Sequence, residues 1–158
     1  DSAFGACAVT LYKGSDAYAS LTALGHSNKY AYGWRMQKRG GAWEPFEWVN
    51  PPMAAGVEYR TTERHLGLPV YAKLITCDSF PDAANGFAFD LGVKPTHVLS
   101  VIGEAWKDDA YHYTLPVFES DGSVRLYAYV AGATLWVQCS NAGFEDYSGH
   151  FTIKYTKA

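Results

Sequence analysis

Apolar residues recur at every second position from Ser123 to Cys139 and again from His150 to Lys157, the period of strands half-buried in a sheet. Val124, Leu126, Ala128 and Val130 fall on one face and Arg125, Tyr127 and Tyr129 on the other, and Leu135, Val137 and Cys139 repeat the scheme around Trp136. The chain is expected to close in an antiparallel sheet. From Pro69 onward the same reading places strands at 70–77, 87–91, 97–103, 114–118, 124–130, 134–139 and 150–156. About seven short strands separated by turn chemistry predict a β-sandwich or a flattened barrel. Asp121-Gly122 and Ala131-Gly132 read as hairpin turns, and 78–86, 104–113 and 140–149 as longer loops.

The first fifty residues read as a smaller β unit, with strands at 4–12 and 30–38 and a tight Arg39-Gly40-Gly41 connection into a third segment, 43–49. Pro45 demotes that segment to an edge, because proline cannot donate to a ladder. Trp34, Trp43, Phe46 and Trp48 are expected to fill the middle of this unit, which has few aliphatic residues. Asn50-Pro51-Pro52 and the small residues up to Gly56 break the periodicity. The predicted organisation is therefore all-β: a small β knob over 1–50, a linker over 51–68 in which 61–64 could start a helical turn, and an antiparallel β-sandwich of about seven strands over 69–158.

Composition narrows the partners. With 158 residues and 48% hydrophobic content the chain can bury an ordinary core. A net charge of −3 and no run of more than two Lys or Arg argue against nucleic acid. No apolar stretch approaches the roughly 20 residues of a membrane span, and no signal peptide is visible. A start at Asp1 without Met reads as a processed product or a piece of something longer. Cys7, Cys77 and Cys139 lie in or beside apolar strand patterns and read as free buried thiols from a reducing compartment.

No nucleophile elbow, His-Glu-x-x-His, phosphate loop or dinucleotide fingerprint occurs, so no enzyme and no cofactor are expected. The paired acids Asp108-Asp109 and Glu145-Asp146 would suit a glycosidase only if two carboxylates stood about 5 to 10 Å apart across a sugar, and solvated turns are the plainer reading. The five histidines form no ligand set within one chain, so no metal site is assigned, although in a threefold oligomer one axial histidine would supply three ligands.

The aromatic content, 16%, exceeds what a core usually needs. Tyr127, Tyr129 and Trp136, opposite the core face, are candidates for an oligomer interface, with packing inside the domain or ligand contact as alternatives. If successive strands simply alternate in direction, loops 78–86, 104–113 and 131–134 gather at one end, away from the linker. There Trp106, Tyr111 and Tyr113 would offer stacking faces, and Asp82, Asn85, Asp108, Asp109 and His112 hydrogen bonds to hydroxyls, the chemistry of glycan recognition. Loop 140–149, with Asn141, Phe144, Asp146 and Tyr147, would lie at the other end.

Residues 3–49, with Tyr32-Gly-Trp-Arg-Met36 and the closing Gly41 to Val49, resemble the pyocin-knob repeat of phage and phage-like tail fibres. Residues 56–157, from Gly56-Val-Glu-Tyr-Arg through Gly67-Leu-Pro-Val-Tyr-Ala-Lys73 to Ile153-Lys-Tyr-Thr-Lys157, resemble a terminal domain of phage and prophage tail proteins. The resemblance implies the distal, receptor-binding end of a tail fibre: a homotrimer following an upstream shaft, adhering to a bacterial surface polysaccharide or other surface receptor. It would be assembled in the host bacterial cytoplasm and would act extracellularly as part of the virion. The rival readings are a monomeric carbohydrate-binding module of a secreted glycan-active protein and a polysaccharide depolymerase tip.

Overall fold

The computed structural model describes residues 7–26, 31–80, 86–108, 111–118, 120, 124–139, 144 and 146–158. Among them there is no helix; the protein is all-β and its larger unit is a β-sandwich. The strands are β1 (Cys7–Lys13), β2 (Ala19–His26), β3 (Ala31–Arg39), β4 (Ala42–Trp43), β5 (Glu47–Asn50), β6 (Glu58–His65), β7 (Leu68–Cys77), β8 (Phe87–Asp90), β9 (His97–Lys107), β10 (Tyr111–Thr114), β11 (Val117–Phe118), β12 (Val124–Ala131), β13 (Thr134–Cys139) and β14 (Ser148–Thr156). Two compact units emerge: Asp1–Met53 with Tyr59–Tyr71, and Ala54–Glu58 with Ala72–Ala158. The expected helical turn at 61–64 is instead part of β6, which from Tyr59 onward belongs with the start of β7 to the first unit. Its buried positions are Tyr59 and Thr61, too few for an apolar rhythm to show in the sequence.

In the first unit β1, β2, β3 and β5 form antiparallel neighbours, and β5 pairs with β6 in parallel. The Gly40-Gly41 connection between β3 and β4 is tight as expected, with both residues at positive φ. Strand β2 carries a weak alternation because its most buried residue is an alanine, Ala23, which contributes little to a hydrophobic pattern. Register places Val9, Leu11, Leu21, Ala23, Trp34, Met36 and Trp48 on one face. Trp34, Phe46, Trp48 and Tyr59 meet edge to face in succession, at 6.3, 5.7 and 5.6 Å between ring centroids. The expected aromatic core is only partly one: Trp43 and Phe46 are exposed, and Trp34, Met36, Phe46 and Trp48 line a shallow apolar concavity.

The opposite face of this unit is organised by one buried carboxylate. Glu47 is 3% exposed and receives Arg35 Nε at 3.2 Å, Arg60 Nε at 3.1 Å and the Arg64 guanidinium. Burial pushes its pKa upward, but the hydrogen bonds from Arg64 and Arg35 and the charges of Arg64 and Arg60 outweigh that and hold it below the usual carboxylate range.

In the second unit, β14 lies between the end of β7 and β9, with β10 outside β9, and a second sheet runs β11-β12-β13-β8. Phe151, Ile153 and Tyr155 of the first layer and Leu126, Leu135 and Val137 of the second are all fully buried, and Phe89 of the second layer lies 6.4 Å from Phe151. Phe80 bridges the layers, 5.3 Å from Phe87 and 6.2 Å from Phe151. The chain changes sheet between β7 and β8, β8 and β9, β10 and β11, and β13 and β14. Strand β9 is longer than expected and β10 was not expected, so the loop read at 104–113 is largely strand. The reason is local: the inward positions of β9 beyond Val101 are Gly103 and Ala105, and a Cβ on Gly103 would stand 2.6 Å from Phe151 Cδ1. Strand pairing there proceeds beneath an aromatic ring, with no apolar side chain to announce it.

The loop grouping also changes. Because β14 runs antiparallel to β9, its start meets the end of β9. Phe80 N donates to Tyr147 O at 2.8 Å and Lys107 Nζ lies 3.5 Å from Asp146 Oδ2, so residues 78–80, 107–108 and 146–148 share one end. The Gly132-Ala133 turn sits at the other end, where Leu91 N donates to Ala133 O at 2.9 Å. The expected positions of the 131–134 connection and of the described end of 140–149, residues 146–149, are thus exchanged.

Two predictions follow from these local conformations. The β6–β7 hairpin turns on Leu66-Gly67 with φ of 50° and 79°, so Leu66, an exposed leucine, occupies the left-handed region that Asn and Gly favour. Leu66→Asn should raise stability by about 1 kcal/mol, read from denaturant unfolding; an unchanged midpoint would refute the strain. Since the folded pKa of Glu47 lies below its unfolded value, its contribution is complete above the ordinary carboxylate range and is lost as pH falls through the depressed folded value. Unfolding of Glu47→Gln, less stable at neutral pH, should accordingly show a flatter acid dependence than wild type.

Candidate functional site

The residues expected to form one binding loop divide by face. Asp82, Asn85 and Asp109 lie outside the described residues. Trp106 and His112 are cross-strand partners on β9 and β10, so they share the outer face of the first layer. Tyr111 and Tyr113 pair with Lys107 and Ala105 and point the other way. Tyr113 is half-buried against Phe144 and Tyr147, with ring centroids 5.7 and 6.0 Å away. Burial, followed by the neighbouring Tyr113, pushes the Tyr147 phenol pKa up. Tyr111 is exposed, and Asp108 is an exposed residue at φ 53° immediately after β9.

The surroundings of Trp106 come from a strand that the sequence did not connect with it. On β14, Ser148 is its register partner, and the His150 ring stands 5.2 Å from the indole at an interplanar angle of 60°. His150 Nε2 lies 2.9 Å from Glu104 Oε1, across the β9–β14 pair. Both side chains remain reachable by solvent, at 40% and 49% exposure. Ile102, exposed, and Thr152 continue the face on these two strands, and His112 and Thr114 flank it on β10. Sequence reasoning missed Glu104, Ser148 and His150 as site members. Their signal was the alternation of outward polar or aromatic residues with inward Gly103, Ala105, Gly149 and Phe151.

This surface is the outer face of a sheet. A half-buried indole stands there beside carboxylate, imidazole and hydroxyl groups, a set that can stack on an apolar ring face and accept and donate hydrogen bonds at its edge. Of the two acid pairs considered for hydrolysis, Asp109 and Glu145 fall outside the described residues, and Asp146 engages Lys107 at 3.5 Å. No group of three or more His, Cys, Asp or Glu converges as a metal site among the described residues. No helix there is long and apolar enough to cross a membrane. Cys77 and Cys139 are half-buried thiols outside any disulfide, and burial raises the Cys77 pKa.

Tyr127, Tyr129 and Trp136 occupy the outer face of the second layer, opposite the buried Leu126, Leu135 and Val137. Tyr127 and Tyr129 stack at 5.9 Å with 20° between their planes, and the Tyr127 hydroxyl donates to Gln138 Oε1. Tyr129 and Trp136 are register partners, and Trp136 in turn faces Ala88 on β8. Arg125, earlier on the same face of β12, carries its guanidinium 4.9 Å above the Phe144 ring. The strip is therefore aromatic and partly exposed across β12 and β13, and ends against Ala88 on β8.

No protein-family model matches the chain, and no curated protein matches its sequence. Among solved structures, it is similar to an N-truncated R2-type pyocin tail fibre, at 13% identity and a TM-score of 0.32, over 92% of this chain and 80% of that one. It is also similar to the C-terminal part of an R1 pyocin fibre of P. aeruginosa, at 7% identity and a TM-score of 0.30, over 92% of this chain and 56% of that one.

Proposed function

We propose that this chain is a non-enzymatic receptor-binding region from the distal part of a phage or phage-like tail fibre, assembled as a homotrimer and adhering to a glycan on the bacterial surface. The observation that carries the binding half of the reading is the Trp106 platform with its Glu104–His150 pair 2.9 Å apart. An indole beside a carboxylate and an imidazole, held on a sheet rather than a loop, is preorganised for a sugar ring and loses little entropy on binding. Support for assembly comes from surface that a lone chain leaves wet: Val9 and Leu11 are 58% and 60% exposed on the apolar face of the first unit. The Tyr127–Tyr129–Trp136 strip is of the same kind, and covering such faces is what a symmetric oligomer does. A particle component of this kind would work outside the cell that made it.

Binding to an immobilised panel of purified bacterial surface polysaccharides tests the first part. Trp106→Ala should weaken the best-bound member about tenfold, the loss of an aromatic contact of about 1.4 kcal/mol. Tyr111→Ala, on the opposite face of β10, should leave binding unchanged; equal losses in both variants would sink the platform. Light scattering tests the second part: the expected mass is three times that of the 17.4 kDa chain at all concentrations. A stable monomer would favour the carbohydrate-binding module instead.

A further inference from the structure

The charge around Glu47 does not balance. Among the described residues, three guanidinium groups, from Arg35, Arg60 and Arg64, converge on this single carboxylate, which leaves two positive charges in excess within that cluster. Elsewhere on the same face of β3, Arg39 meets Glu44 at 3.5 Å, one charge against one. Glu63, on β6 between Thr62 and Arg64, alternates to the opposite face of that strand.

Nor is the excess diffuse. Arg35 Nη2 donates to Thr62 O at 3.3 Å, and Arg64 Nη1 donates to Glu63 O at 2.9 Å, so backbone carbonyls fix two of the three side chains from behind. Arg60 is fixed by Glu47 itself, through Nε and Nη2, both 3.1 Å from Oε1. The side chains of Arg35, Arg60 and Arg64 keep 35%, 20% and 30% of their surface open to solvent. Thr22, the register partner of Arg35, and Thr10 beyond it place hydroxyls on the same face. Buried carboxylates ordinarily need one good partner, and like charges held this close repel. Guanidinium forks are the groups best shaped for planar or tetrahedral oxyanions.

We propose that the Arg35–Arg60–Arg64 cluster of the first unit is an oxyanion-binding site that takes a phosphate or carboxylate group carried by a charged bacterial-surface polymer. Glu47 acts there as the internal counter-ion that holds the three forks in place, and the bound anion neutralises what Glu47 leaves over. The site is separate from the Trp106 platform and uses none of its residues, so either can fail without the other.

The test is a thermal-unfolding and calorimetric titration of the intact chain at low ionic strength with inorganic phosphate, with glucuronate, and with chloride at matched ionic strength. Ligand that binds the folded state raises the unfolding temperature in a saturable way. A saturable rise with phosphate alone assigns the tetrahedral group, and one with glucuronate alone the carboxylate. Arg64→Gln should weaken that binding about tenfold, the loss of one charge-assisted contact. Because that variant also removes a partner from Glu47, Glu47→Gln is the complementary variant: it keeps all three guanidiniums, removes the competing charge and should bind the anion more tightly than wild type even though it unfolds earlier. Equal shifts with chloride, no saturable shift with either anion, or an affinity unchanged by both substitutions would overturn the proposal.

Discussion

Close approach of aromatic rings to bare backbone is the constraint on which the second unit depends. A Cβ on Gly149 would stand 2.6 Å from Phe80 Cζ and 2.8 Å from Glu104 O, and one on Gly103 would stand 2.6 Å from Phe151 Cδ1. Strands β9 and β14 can therefore lie under Phe80 and Phe151 only because side chains are missing from their inner face at that end. Burying those rings then fixes the register of the pair, and the register sets what happens outside. Glu104 faces His150, and Trp106 faces Ser148, because Ala105 and Gly149 are opposite one another beneath them. A slip of one residue would turn the indole inward and a glycine outward. The platform is in this sense the reverse side of the packing.

That coupling explains which parts of the fold could be read from the sequence. Strands β12, β13 and β14 bury full-sized residues at alternate positions, so Leu126, Leu135, Val137, Phe151 and Ile153 announce both the strands and their inner face. Strand β10 and the far half of β9 bury glycine, alanine and Tyr113, and their alternation reads as a polar loop containing Trp106. The site residues followed suit: Trp106 and His112 were picked out for their chemistry, but Glu104 and His150, 46 positions apart in sequence, become neighbours only through the β9–β14 pairing. Non-local pairing is what a single sequence conveys least.

The first unit was obscured by a different cause. Strand β6 reads Glu-Tyr-Arg-Thr-Thr-Glu-Arg-His, a segment that composition assigns to a solvated linker. Its arginines make sense as strand residues only once Glu47, on a separate strand, is known to be buried between them. One polar face is thus organised by charge, while the other is organised by the edge-to-face succession of Trp34, Phe46, Trp48 and Tyr59. With the sheet polar on one side and apolar on the other, the exposed Val9 and Leu11 mark the side on which further burial remains to be gained.

Flatness sets the affinity that such a molecule can reach. On the proposed glycan reading, one indole with a carboxylate, an imidazole and a few hydroxyls around it would meet only a short piece of the ligand, and much of the gross contact energy would go to immobilising it. Deep pockets escape this limit by enclosing the ligand, whereas a sheet face cannot. Repetition provides the alternative. Were the proposed assembly to hold copies of the platform rigidly before a polymer that repeats the same unit, each contact after the first would be intramolecular, and residence would grow with the number engaged. A surface polymer that also carried regular phosphate or carboxylate groups would give the Arg35–Arg60–Arg64 cluster a second, electrostatic hold on the same chain. Contacts of the two kinds would respond differently to salt, the cluster weakening as its charges are screened and the indole persisting.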